Sequence, residues 1–348
     1  MKKLTILIMS LALIIGVFSA CSQTSSEELN LYTWEGMFPQ EVLDSFEEET
    51  GIKVNYNNFD TDEVVPQKLS ASNGSDYDLV IVNDYIAEML IEQELVTKLD
   101  TSKISNIGNV NPVYQGKFYD TSNEYTVPYG AGVITLVYEP SKIDIEIDSY
   151  SDLWDESLEG KVGLIASNRV VNGITLLSMG ESMNTEDVDT IKKAGEKLLE
   201  LAPNIRLIKD TNLQDDLLSG EIDVALMYAS QTTMAKIANP DLKVVFPKEG
   251  LGFGIMPQLI PSNAKNSDNA HKFINYILKP EVSKQCFEYL GYYSTNKEAD
   301  ALIEDEYKEF LTLPKNADTD KMEMVENISN EATQAHIEIF TAFKDTTN

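Results

Sequence analysis

Short apolar runs of strand character alternate along this chain with amphipathic runs of helical spacing, in two blocks that one long apolar stretch separates. In the first block, strands are predicted at residues 29–33, 52–56 and 77–82, and helices at 39–50, 64–71 and 84–94. The run at 77–82, YDLVIV, is continuously apolar, which is typical of a parallel strand covered on both faces. Alternation of this kind indicates an open, doubly wound α/β sheet.

The separating stretch is TVPYGAGVITLVYEP at 126–140. It predicts a strand that crosses between two lobes, with Gly130 and Gly132 easing its bend. After it the alternation resumes, with strands at 161–165, 205–208, 224–227 and 243–246, and helices at 173–179, 186–201, 212–219, 231–237, 270–278, 281–290 and 333–343.

Two alternating halves with a glycine-bearing join predict two α/β lobes around a cleft. Lobe 1 is expected to comprise residues 29–132 plus 254–300, and lobe 2 residues 133–253 plus 301–348. In sheets of this kind, ligands lie in the crevice outside the carboxyl ends of the strands. We therefore expect the functional residues directly after predicted strands.

The amino terminus has the pattern of a secretory signal peptide. A basic start at residues 1–3 precedes an almost wholly apolar run at 4–17, which is too short to favour a permanent membrane span. The segment ends in small residues and Cys21, like a lipoprotein cleavage box, although Phe18 stands where that box usually has leucine. We expect a signal peptide at 1–20, a lipid on Cys21 and a tether at 21–28, at the cell surface or in the periplasm. The alternative is an ordinary cleaved signal with an incidental cysteine.

The charge and the cysteine count exclude several classes of protein. Acidic residues outnumber basic ones 57 to 27, for a formal net charge of -30, which argues against nucleic acid and against adhesion to anionic lipid. Besides Cys21 the chain has only Cys286, so a monomer forms no internal disulfide. The two histidines, His271 and His336, form no His/Cys cluster, and we expect no metal and no cofactor.

Motifs along nearly the whole chain resemble the spermidine/putrescine-binding proteins of ABC importers. In order they are LYTWEGMFPQEVLDSFEEETGIKVNY, FDTDE, YDLVIVNDY, TVPYG, YSDLWDESLEGKVGLI, SGEIDVALMY, VVFPKEG and LGYYSTN. The resemblance implies a type II periplasmic-binding-protein fold with crossover strands. It also implies a monomeric receptor that closes its lobes over a small solute and hands it to a permease with a cytoplasmic ATPase.

The resemblance also implies an aromatic ligand cleft. Trp34, Tyr85, Tyr228 and Tyr292 fall on aromatic positions of the family, and Tyr228 stands where the family usually has tryptophan. Aromatic faces attract ammonium groups by about 0.5–2 kcal/mol each. Trp34 and Tyr85 also follow predicted strands directly, as cleft residues should.

The carboxylates of the family match less well. After PKEG the family usually has Trp-x-Asp, whereas this chain has Gly254 and Met256, and Met256 is expected to form an apolar floor. A family segment with two acids reads Ser-Asn-Arg-Val at 167–170, and an acid-tyrosine pair reads Gly-Met at 36–37. Removing a buried carboxylate from an amine site costs about 2–5 kcal/mol.

Other residues are candidates to replace the missing acids. Glu35 adjoins Trp34, Asp84 adjoins Tyr85, and Glu326 falls where the family often has a polar amide. Alternatively these acids lie on the rim, Asp84 caps its helix, and Arg169 meets an anionic group. A polyamine or other cationic amine is the favoured ligand, and a neutral, zwitterionic or anionic solute stays open.

Enzymatic functions are less well supported. A glycosidase needs two carboxylates across a sugar bond, for which Glu35 with Asp84 or Glu326 are the candidates. Cys286 lies among apolar helical neighbours, which predicts a buried, inert thiol. The sequence has no Gly-x-Ser-x-Gly elbow and no phosphate-cradling glycine loop. We therefore expect a solute-binding protein and not an enzyme.

Overall fold

The structure is a computed structural model that describes residues 27–209, 211–311 and 321–347, so Cys21 and the predicted signal peptide lie outside the described residues. Its strands are β1 Glu28–Trp34, β2 Lys53–Phe59, β3 Leu79–Ile81, β4 Val96–Thr97, β5 Val127–Tyr138, β6 Val162–Leu164, β7 Ile205–Ile208, β8 Val224–Tyr228, β9 Lys243–Val245, β10 Leu251–Pro261, β11 Tyr293–Ser294 and β12 Met322–Met324. Its α-helices are α1 Gln40–Thr50, α2 Val65–Ser72, α3 Asp84–Glu92, α4 Asn168–Ser178, α5 Val188–Glu200, α6 Leu213–Ser219, α7 Ala229–Ala238, α8 Ser267–Ile277, α9 Pro280–Leu290, α10 Lys297–Asp300, α11 Asp305–Leu311 and α12 Asn330–Thr347.

The sheet of lobe 1 has the order β2-β1-β3-β10-β5, with β2, β1 and β3 parallel. Side chains of β3 alternate between its two faces. Leu79 and Ile81 pack in one apolar cluster with α1 and α8, whereas Val80 and Val82 pack in another with α2 and α3. The continuous run at 77–82 is therefore confirmed as a strand buried on both faces.

The sheet of lobe 2 has the order β5-β8-β6-β7, and its strands β8, β6 and β7 are parallel. One large apolar cluster joins these strands to α4 and α5 and to the carboxyl-terminal helix α12. Helix α12 packs on α4 and α5, which places the end of the chain in this lobe.

Two antiparallel strands, β5 and β10, connect the lobes. The first half of β5 pairs with β10, and its second half pairs with β8. The crossing strand predicted at 126–140 is thus confirmed. Gly132 lies opposite Gly254 in the register, next to the predicted lobe boundaries at 132/133 and 253/254. The boundaries themselves stay a prediction, which this register supports.

Helix α4 begins earlier than the sequence pattern indicates. The predicted helix starts at residue 173, whereas the observed one starts at Asn168, so Arg169 lies in its first turn. Ser167 is the N-cap, and its hydroxyl accepts a hydrogen bond from the Val170 N–H at 3.4 Å.

Asp78 joins three elements of lobe 1 before β3 begins. Its buried carboxylate accepts hydrogen bonds from the backbone N–H and the side-chain amide of Asn30, and from the same two groups of Asn266, at 2.8–3.1 Å. Replacing Asp78 with alanine leaves these donors without an acceptor. We expect Asp78→Ala to lower the free energy of unfolding by about 2–4 kcal/mol in urea titrations. A change below about 0.5 kcal/mol would contradict this role.

Candidate functional site

A cavity of about 710 Å³ lies between the lobes. From lobe 1 it is lined by the residues that follow β1, β2 and β3, and from lobe 2 by those that follow β6 and β8. The crossing strands β5 and β10 form its floor, with Gly132 and Gly254 facing it. Strand ends of both lobes therefore meet at one place, as the alternating pattern predicts.

All the predicted ligand contacts except Glu326 line this cavity: Trp34, Glu35, Asp84, Tyr85, Arg169, Tyr228, Met256 and Tyr292. Glu326 is exposed, and the structure does not bring it to the wall. Its backbone carbonyl accepts a hydrogen bond from Arg169, and its N–H donates to Asn184. That these side chains touch ligand stays a prediction.

Aromatic rings form two sides of the cavity. Trp34, at the last position of β1, packs edge-on against Phe59 with ring centroids 5.0 Å apart. The Tyr85 hydroxyl donates to Glu63 at 2.9 Å. Tyr292 lies over β5 so closely that a Cβ at Gly132 would be 3.1 Å from its ring. The glycine thus leaves room for a ring against the crossing strand.

Met256 is an apolar part of the floor. Only 7% of its surface is exposed, and a Cβ on Gly130 would lie 2.6 Å from its Cε methyl group. The side chain belongs to the apolar cluster of lobe 1. A carboxylate at this position would be buried in apolar surroundings, which is energetically costly. The uncharged methionine avoids this cost.

Two buried carboxyl groups line the cavity on the lobe 1 side. Asp62 and Asp84 are each 3% exposed. Asp62 accepts a hydrogen bond from the Asn83 N–H at 2.7 Å, and Asp84 accepts from the N–H groups of Tyr85 and Ile255 at 3.0 and 3.2 Å. Burial raises the pKa of each carboxyl to about 7, against the partial effect of these backbone donors.

Sequence reasoning missed Asp62, although a signal was present. The residue belongs to FDTDE, which directly follows β2, so the rule that led to Trp34 and Asp84 also applies to this segment. Its neighbours in the motif, Asp60 and Glu63, are exposed at the rim. Only the tertiary packing of α3 over the turn distinguishes the buried acid from the exposed ones.

Arg169 faces the cavity with most of its donors already bound to the protein. Its Nη atoms donate to the carbonyls of Glu326 and Met183 and to the side-chain oxygen of Asn184, at 3.0–3.4 Å. Its Nε is buried and has no acceptor among the described residues. The arginine therefore ties α4 to the segments before α5 and α12.

The other groups weighed as catalytic candidates lie in structural positions. Cys286 is fully buried in α9, and burial raises its pKa to about 12, which keeps the thiol protonated and inert. His336 is buried against Asn172, and burial lowers its pKa to about 4. Within the described residues no group of three or more His, Cys, Asp or Glu side chains is arranged to hold a metal ion.

Within residues 27–209, 211–311 and 321–347, no helix combines the length and the apolar composition needed to cross a bilayer.

Two α/β lobes, two crossing strands and a deep cavity at the strand ends define a two-lobed solute-binding protein. The sequence matches the family of bacterial extracellular solute-binding proteins over residues 41–315, and the chain belongs to this family. The protein is thus an extracytoplasmic binding protein and not an enzyme, as expected from the sequence.

Relatives of known designation support the same assignment. The spermidine/putrescine-binding periplasmic protein of Escherichia coli is 31% identical over 334 residues, which cover 96% of each chain. The spermidine/putrescine-binding periplasmic protein 1 of Haemophilus influenzae is 32% identical and covers 84% of this chain and 82% of its own. Among solved structures, the spermidine/putrescine ABC transporter substrate-binding protein PotD of Streptococcus pneumoniae superposes with a TM-score of 0.81 at 29% identity, covering 93% of this chain and 100% of its own. The predicted fold and family resemblance are confirmed.

Proposed function

We propose that this protein captures a polyamine-type cationic amine in the interlobe cavity and delivers it to the permease of an ABC importer. The observation that carries the proposal is the pair of buried acids, Asp62 and Asp84, which form no ion pair among the described residues. Such carboxylates favour a cationic partner, and aromatic rings beside them add attraction for ammonium groups. The designations of the relatives support the same ligand class.

Capture needs no covalent chemistry. Lobe 1 offers Trp34, Asp84 and Tyr85, and lobe 2 offers Tyr228 across the cavity. A ligand that touches both sides binds the closed arrangement more tightly than the open one, and so raises the closed population. The closed lobes then present one joint surface to the permease.

An anionic ligand is less well supported because Arg169 is engaged by the protein. Both of its Nη atoms donate to oxygens of lobe 2. Binding of an anion would have to break these bonds or use the two remaining donors, the Nε–H and one Nη1–H. Neutral and zwitterionic solutes stay as outcomes of the ligand screen.

A thermal-shift screen tests the ligand class. We expect spermidine or putrescine at about a hundred times its Kd to raise Tm by about 4–8 °C, because binding to the folded state adds about 2.7 kcal/mol of stability. Glucose, citrate and 4-aminobutyrate at equal concentration and ionic strength are the matched controls. A shift with any of these and none with the amines would contradict the proposal.

The location is proposed from the sequence alone. We infer that Cys21 is lipidated and that the mature protein acts as a monomer tethered to the membrane. Labelling of cells with a fatty-acid analogue should mark the wild type but not Cys21→Ser. Equal labelling of the wild type and of Cys21→Ser would contradict lipidation at Cys21.

A further inference from the structure

Asp62 and Asp84 both bind the backbone at the amino-terminal end of α3. Asp62 is the first residue of the 3-10 turn Asp62–Val64 after β2, and Asp84 is the first residue of α3. The Asp62 carboxylate accepts from the N–H of Asn83, and the Asp84 carboxylate accepts from the next N–H but one, that of Tyr85. Both carboxyl groups therefore bind the same three-residue stretch of backbone and are neighbours at the cavity wall.

The two acids are buried without a direct ion-pair partner, and the guanidinium of Arg169 acts on Asp84 only at longer range. Neither acid forms an ion pair with any residue that the structure describes, and each is 3% exposed. Burying an unpaired carboxylate is costly, so the group takes up a proton or a cation instead. Burial is the main cause of the raised pKa of about 7, and the charge of Asp62 raises the pKa of Asp84 further.

A second buried group at this place also lacks a partner. Tyr119 lies in the turn Phe118–Asp120 that packs on α3, and its hydroxyl is buried with no hydrogen-bond partner among the described residues. The side chain is only 6% exposed. Burial is the main cause that raises the pKa of Tyr119, and the charge of Asp84 raises it further. Tyr119 does not line the cavity, so its hydroxyl is not a candidate ligand contact.

We propose that Asp62 and Asp84 together form one subsite for a primary ammonium group, and that this ammonium replaces a proton held by the pair in the ligand-free protein. The proposal rests on the proposed function and adds a residue, Asp62, that the family resemblance does not place in the site. Alkylammonium groups stay protonated near neutral pH. The proton that leaves is therefore the carboxyl proton, which passes to the buffer as the O–H bond breaks.

Other ionisable groups surround the pair, and the variants must separate their effects. They are Glu35 after β1, Asp60 and Glu63 in the turn after β2, Tyr85 and Glu88 on α3, Tyr119, Arg169 on α4, and Glu326.

Calorimetry with putrescine and spermidine at pH 6 and pH 8 tests the subsite. One carboxyl with a pKa near 7 makes Kd about tenfold weaker at pH 6 than at pH 8, and two make it about a hundredfold weaker. We expect the wild type to lie between these limits. Repeating each titration in two buffers of different ionisation enthalpy counts the protons released on binding.

Asp62→Asn removes one of the two titrating groups and keeps the shape of the side chain. We expect Kd at pH 8 to weaken at least about tenfold, with a smaller dependence on pH and fewer protons released. Glu92→Gln at the end of α3 is the matched control, because Glu92 is exposed and outside the cavity wall, and its removal changes the net charge equally. Thermal melts establish that both variants are folded.

The outcomes separate this subsite from the proposed function. If neither amine binds the wild type at pH 8, the proposed function fails. If the amines bind but Asp62→Asn keeps wild-type affinity and proton release, only the subsite is overturned. Asp84→Asn should reproduce the loss of proton release, which guards against a local defect of one variant.

Discussion

Replacing Trp34 with alanine is expected to weaken amine binding at least tenfold. A loss of this size is about 1.4 kcal/mol. The indole contributes apolar surface at the cavity and an aromatic face for an ammonium group, and the latter alone accounts for about 0.5–2 kcal/mol. Trp34→Phe should lie between the wild type and Trp34→Ala. Calorimetry with spermidine measures the effect, and an unchanged Kd would remove Trp34 from the site.

The chain carries its own control for this experiment. Its only other tryptophan, Trp154, lies in lobe 2, where its Nε1 donates to the Lys197 carbonyl at 2.8 Å. Trp154 is not among the cavity residues. We expect Trp154→Phe to bind with wild-type affinity and to keep the change in tryptophan fluorescence on ligand binding. Trp34→Phe should lose that change, because the remaining indole is remote from the ligand.

The apolar pattern of the sequence predicts the parts of this fold in which an element packs against a buried layer. The strand at 77–82 and the helices around it follow from apolar spacing alone, because successive side chains of this strand enter different apolar layers. The crossing strand β5 can also be predicted from the sequence, because an apolar run of this length must be buried in the interior of the protein. Local pattern and global fold agree at these places.

The second crossing strand shows where pattern reasoning stops. Strand β10 contains Gly252, Gly254 and Pro257, residues that argue against a strand interior. The proline lies at a break in the β10–β5 ladder: Met256 is paired with Gly130, whereas Pro257 is paired with Pro128, so the register shifts by one residue between them. Only the resemblance to a known family implied this second crossing.

The candidate site could be predicted from the sequence to the extent that it lies at strand ends. Trp34 ends β1, Asp84 and Tyr85 begin the helix after β3, and all three line the cavity. Asp62 was missed because burial, and not position in the motif, separates it from Asp60. Burial depends on α3, which reaches the turn after β2 only in the folded chain.

Asp62→Asn is also expected to stabilise the ligand-free protein. Burial raises the pKa of this carboxyl from 3.8 to about 7, so the unfolded chain loses its proton more readily than the folded one. The resulting destabilisation is absent below about pH 3.8, grows as the pH rises towards 7, and is complete above it. A shift of this size corresponds to about 4 kcal/mol at most, and we expect a gain of about 1–4 kcal/mol at pH 8.

Urea unfolding of wild type and Asp62→Asn from pH 4 to pH 8 measures this gain. The difference between the two proteins should widen up to about pH 7 and then stay constant, whereas Glu92→Gln should stay within about 0.5 kcal/mol of the wild type. Asp62 is thus expected to lower the stability of the ligand-free protein at neutral pH. Its presence is explained by a cationic ligand, whose charge neutralises the buried carboxylate on binding. If the variant is no more stable at pH 8 than at pH 4 relative to the wild type, Asp62 carries no buried charge, and its pairing with an ammonium group loses its physical basis.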